Sequence, residues 1–188
     1  MRDKSMAAAI DGALSMAARE SDAGIVKALI DAGADVHARL DAPLWLAAGA
    51  GRIDNMRALL GAGADRDIAL IEAAENGLIE LVRELLAAGA DVHAYRGLAL
   101  LMASHNGHTE TVKALLAAGA GFHSDAALAL AAGNGHTDTV RALLEAGALG
   151  HAAARREAEK NGHAETARAL KNWRSHKRQK PAGASETA

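Results

Sequence analysis

HNGHTETVKALLAAGAGFH, residues 105–123, holds three histidines and a glutamate within nineteen positions. Taken alone, that composition fits a metal or catalytic centre. GNGHTDTVRALLEAGALGH, residues 133–151, repeats it 28 residues later with the spacing intact. The stretch is therefore one copy of a repeat, and the whole chain has to be read in that register.

Aligning on the glycine that follows each leucine-rich run gives Gly33, Gly63, Gly89, Gly119 and Gly147. Nineteen positions earlier stand Leu14, Leu44, Leu70, Leu100 and Leu128. Three residues after each of these leucines comes Ala17, Ala47, Ala73, Ala103 or Ala131, and Leu29, Leu59, Leu85, Leu115 and Leu143 follow at fifteen. A degraded sixth copy runs from Arg155 to Arg174. The twenty-residue unit is constant, whereas the connections between units hold 10, 6, 10, 8 and 7 residues.

Each unit predicts two helices. The first ends at a glycine such as Gly77, Gly107, Gly135 or Gly162, where a positive φ stops the helix. The second carries apolar residues at helical spacing, Val112, Leu115 and Leu116 in copy four. Neither helix alone can bury its face, but stacked copies bury one another, which is the logic of a solenoid. The only aromatics are Trp45, Tyr95, Phe122 and Trp173, so the core depends on leucine and on close approach of alanine-rich helices.

These units resemble the ankyrin repeat, which runs Thr-Pro-Leu-His-x-Ala-Ala, Gly-His, Val-x-x-Leu-Leu and Gly-Ala-Asp-Val-Asn-Ala. The residues that carry the resemblance are APLWLAAGAGR at 42–52, NGH at 106–108, 134–136 and 161–163, and GADVHA at 33–38 and 89–94. It implies an all-α solenoid of six helix-turn-helix repeats over residues 1–174. No copy has the Thr-Pro pair, and none has histidine after its leucine. The connections also fall about three residues short of a β-hairpin finger. Tight turns with little or no β-hairpin are expected instead.

The resemblance further implies a non-catalytic module that binds another protein through first-helix tips and connections. Carried over position by position, the tips are Arg19, Glu20, Glu75, Asn76, His105, Asn106 and Asn134. The connection side adds Arg39, Arg66, Tyr95, Arg96 and Phe122, and Trp45 stands in the half-buried histidine slot. Aromatics and arginine dominate binding hot spots, which singles out Trp45, Tyr95, Arg96 and Phe122. Thr111, on a second helix, is expected to lie off this surface.

Seven of the nine histidines occupy two repeat slots. His108, His136 and His163 follow the inter-helix glycine; His37, His93, His123 and His151 lie four residues after the terminal glycine. Like slots in neighbouring copies sit about 8–10 Å apart, whereas zinc ligand atoms converge at about 2.0–2.3 Å. The histidines are thus expected to serve the repeat, with no metal and no cofactor. No unique nucleophile, base and orienting group emerges, so no enzyme is expected.

The chain has no cysteine, which excludes disulfides and thiolate sites and fits a reducing, cytoplasmic setting. MRDKSMAAAIDGAL lacks an adequate apolar run before Asp11, so no signal peptide is expected. No membrane span is expected either, and the protein is expected to be a monomer. Charge divides the chain: residues 1–154 hold 12 Lys and Arg against 19 Asp and Glu, and residues 155–188 hold 9 against 4. The basic end, with a tail at 175–188 expected to be disordered, defines an alternative: an adaptor contacting nucleic acid or an anionic surface. Its thin aromatic content argues against base stacking, so nucleic acid is the less favoured partner.

Overall fold

A computed structural model describes the backbone of residues 4–179 and the side chains of residues 4–173. Twelve α-helices follow one another, with no strand among the described residues. They form six pairs: α1 Lys4–Glu20 with α2 Ala23–Asp31, α3 Ala38–Gly49 with α4 Ile53–Gly61, and α5 Arg66–Glu75 with α6 Ile79–Ala87. Then come α7 Ala94–His105 with α8 Thr109–Ala117, α9 Ser124–Gly133 with α10 Thr137–Glu145, and α11 His151–Lys160 with α12 Ala164–Gln179. A single 3-10 turn, Ala120–His123, precedes α9. The backbone helix of α12 passes residue 174, and the rest of the expected tail lies outside the described residues.

First helices pack on first helices, α1 against α3, then α5, α7, α9 and α11; most second helices line up behind them. The leucines that set the register, Leu14, Leu44, Leu70, Leu100 and Leu128, are at most 1% exposed. Burying each contributes roughly 2 kcal/mol. The alanines three residues on are also buried, and their small side chains let neighbouring first helices approach closely. The second helices of the first five pairs end on a left-handed glycine, such as Gly33 at φ 88°. There Gly33 donates to Ile30 O at 2.8 Å and Ala34 to Leu29 O at 3.0 Å, closing the final turn.

The ten-residue connections hold a feature that the repeat pattern conceals. Arg39, Leu40 and Asp41 have φ of 52°, 61° and 59°, and Tyr95, Arg96 and Gly97 have φ of 49°, 61° and 70°. Each trio is one turn of left-handed helix, after which the chain reverses hand and runs on as α3 or α7. Left-handed backbone costs about 1–2 kcal/mol for each residue with a Cβ. Bonds inside the turn offset part of that cost: His37 Nδ1 meets Asp41 Oδ1 at 2.7 Å, and Gly97 donates to His93 O at 3.1 Å. The tight turns expected at the connections are thus left-handed, and only Gly97 among the six residues announces it.

Candidate partner-binding surface

The repeat stack displays two strips of side chains, one at the tips of the first helices and one along the connections. At the tips, much of the polar capacity is spent between repeats. Arg52 Nε donates to Arg19 O at 3.2 Å. Glu75 O accepts both Asn106 Nδ2 at 2.8 Å and His108 Nε2 at 2.9 Å. His105 O accepts His136 Nε2 at 2.8 Å, while the His105 ring faces Asn134 Nδ2 at 3.1 Å. Asn76 turns back to Glu72 O at 2.9 Å, and Arg19 pairs with Glu20 at 2.6 Å. Asn106, Asn134, His108 and His136 therefore staple the fourth and fifth repeats to the ones before them. Asn106 and Asn134 remain exposed, and the stapling histidines are half-buried.

The same contacts account for the opening motif. The rings of His108, His136 and His163 lie over Gly77, Gly107 and Gly135 of the preceding repeat. A Cβ at Gly107 would sit 2.5 Å from His136 Nδ1. These glycines are needed twice, for a positive φ and for a bare surface under the ring. In the other slot His37 is raised above its ordinary pKa, first by its hydrogen bond to Asp41 and further by Asp35 and Asp65. Among the described residues no three His, Asp or Glu side chains gather where they could hold a metal ion.

Along the connections one row of large side chains is exposed. Leu40 is 91% exposed, Tyr95 60%, Phe122 88% and Leu149 75%, one large apolar residue on each connection except the shortest. Phe122 stands edge-on to His123, ring centroids 5.0 Å apart, and covers nothing. Arg39, Arg66 and Arg96 are exposed beside this row. Trp45 is 45% exposed on the first-helix face.

The apolar row extends beyond the candidate residues, and the position that represents the outer face shifts. Leu40 and Leu149 were not among the candidate residues, yet they are the extremes of the apolar row. Thr111 is only 1% exposed on α8, so it cannot represent the outer face; the exposed Glu80 and Asp138 do. That outer face carries ion pairs, including Lys113 with Glu110 at 2.8 Å and Arg57 with Glu84 at 2.6 Å. These pairs hold the Glu84 and Glu110 carboxyls below their usual range.

The sequence reasoning also missed a set of aspartate clamps. Asp11 Oδ1 accepts Asp35 N at 2.8 Å, Asp67 accepts Asp91 N at 2.7 Å, and Asp125 accepts Leu149 N at 2.6 Å. Each aspartate stands three residues before a register leucine, in copies one, three and five. The aspartates were visible in the sequence, but not the alternation, because Asp41 fills the same slot in copy two and turns to His37 instead. Each clamp holds the following connection, and so the exposed apolar residue, in place.

A family model described as ankyrin repeats matches the chain in three overlapping copies, over residues 14–96, 70–154 and 100–180. The chain belongs to the ankyrin-repeat family. None of the curated proteins matches it. Ankyrin repeats are in general protein–protein interaction modules. In this ankyrin stack the place of the hairpin fingers is taken by left-handed turns and short links. Among the described residues no helix is long and apolar enough to cross a membrane.

Proposed function

We propose that this ankyrin protein is a non-catalytic adaptor in the cytoplasm, binding a partner protein through its connection edge and first-helix tips. The observation that carries this reading is the row Leu40, Tyr95, Phe122 and Leu149. Four of the chain's large apolar residues are exposed along one edge, two of them aromatic, and exposed aromatics of this kind serve as interface anchors. Backbone strain supports the same reading. Two connections adopt left-handed turns that place Leu40, Tyr95 and Arg96 outward, and strain of this kind persists where surrounding structure and use maintain it.

Photo-crosslinkers placed at Tyr95 and Phe122, and at Glu80 and Asp138 for comparison, test it in cells. The expected result is covalent capture of the same protein from both edge positions and none from the outer positions. Equal capture from Glu80 and Asp138 would move the interface to the outer face. The alternative, contact with nucleic acid or an anionic surface through the basic end, falls largely on residues whose side chains lie outside the described part. Crosslinking to nucleic acid would favour it.

A further inference from the structure

Two residues after each register leucine the chain carries Met16, Leu46, Glu72, Met102 and Leu130. The first helices pack in sequence, α1 to α3 to α5 to α7 to α9, so this slot forms a row across the stack. Met16 and Leu46 line one open depression between α1 and α3, so in copies one and two the slot opens to solvent. Met16 is 65% exposed, and Leu46, Glu72, Met102 and Leu130 are half-buried. The row is apolar except at its centre, where the third copy substitutes a carboxylate.

That carboxylate has no counter-charge. Glu72 forms no hydrogen bond through its side chain and no ion pair among the described residues, while most exposed acids of the second helices are paired. Its half-burial raises its pKa, and the neighbouring Glu75 raises it further. A desolvated, unpaired charge costs the free protein stability, and a cation brought to it recovers that cost. The charge of residues 1–154, 12 basic against 19 acidic, draws such a partner in.

We infer that the first-helix face docks a protein segment that presents an arginine or lysine to Glu72, flanked by apolar side chains that cover Leu46 and Met102. The inference rests on the protein-binding reading above and adds the chemistry of the occupant. Arginine fits the two-oxygen geometry best, because its planar fork gives two parallel hydrogen bonds. Trp45, exposed on the same face of α3, adds an aromatic surface along which the cation's aliphatic stem can lie.

The probe is a random-peptide library displayed on phage, selected against the full chain and, in parallel, against Glu72→Gln. The substitution keeps the shape and removes the charge; a thermal melt no lower than that of the parent shows that the variant is folded. On the parent chain the enriched peptides are expected to share one Arg or Lys between apolar residues. On Glu72→Gln that cation should no longer be enriched, and a parent-selected peptide should bind about tenfold more weakly, about 1.4 kcal/mol. If parent-selected peptides bind both chains equally and lose nothing when their cation is replaced, the inference fails while the interaction reading stands. If no sequence is enriched on the parent chain, both fail.

Discussion

Gly107→Ala and Gly51→Ala separate the two demands that the repeat makes on its inter-helix glycine. Both glycines are left-handed, at φ 76° and 66°. Gly51 has nothing within 4 Å of an added Cβ, because Leu78 replaces histidine in the copy above it. Alanine there should cost only the left-handed penalty, about 1–2 kcal/mol. At Gly107 the new methyl would lie 2.5–2.8 Å from three atoms of the His136 ring. The ring must leave, taking with it the 2.8 Å bond to His105 O, worth about 1 kcal/mol. Gly107→Ala should therefore cost about 2–3 kcal/mol in equilibrium urea unfolding. His136→Ala alone should cost about 1 kcal/mol, and the double variant should cost no more than Gly107→Ala, a non-additivity of about 1 kcal/mol. Equal losses at Gly51 and Gly107, or an additive cycle, would show that the ring does not bear on the glycine.

Asp67→Ala should cost about 1 kcal/mol and speed hydrogen exchange at the Asp91 amide, leaving the Asp35 amide protected by Asp11. Ser104 is buried with no partner for its hydroxyl among the described residues, where copies one, two, three and five carry alanine; Ser104→Ala should stabilise the fold by about 1 kcal/mol in the same unfolding assay. In an NMR titration His37 should titrate above the ordinary histidine range, and Asp41→Asn should lower it. Since its folded pKa is raised, its contribution to stability is present below the unfolded pKa and is lost as pH rises through the folded value.

The repeat register made the pairs of helices, their order and the buried leucines legible from spacing alone, because a solenoid repeats one solution to one packing problem. The opening histidines were legible as repeat features but not as staples: that Nε2 of His136 would reach a carbonyl one repeat back depends on the stacking distance, which no spacing states. The left-handed turns were hidden for a different reason. Arg39-Leu40-Asp41 contains no glycine, and propensity argues against that conformation at Arg39 and Leu40, with only Asp41 a residue that visits it. Its exposed leucine was consequently passed over, while Tyr95 and Arg96, chosen as aromatic and arginine, sit in the equivalent turn. Asn106 and Asn134 were chosen by family position; the structure gives both a role between repeats as well.

The devices that join repeats are unevenly placed, and this sets where the stack should open. Copies one and two share the Asp11 clamp, and Asn55 Nδ2, buried, reaches Ala18 O and Ser21 O at 2.9 Å each. Copies three and four share the Asp67 clamp and the His108 staple, copies four and five the His136 staple and a 2.8 Å bond between the Thr109 and Thr139 hydroxyls. Copies five and six share the Asp125 clamp and the 2.7 Å bond from Asn161 to Gly133 O. Between copies two and three none of these devices occurs. Leu78 stands in the histidine slot, and Asp41, in the clamp slot, is turned to His37. What spans the outer helices there is the exposed pair Arg57–Glu84, and exposed pairs contribute little. In an approximately one-dimensional stack, stability is a sum over such interfaces, so the poorest one becomes the boundary between cooperative units. Relative to the junction of copies three and four it lacks the three hydrogen bonds from Asp67, Asn106 and His108, roughly 1.5–4.5 kcal/mol. Native-state hydrogen exchange should then show residues 4–63 opening as one unit at lower free energy than residues 70–145. Leu78→His, which restores a ring over Gly51, should narrow the gap. Uniform exchange free energies across the boundary would mean that the apolar packing of α3 on α5 outweighs every polar staple described here.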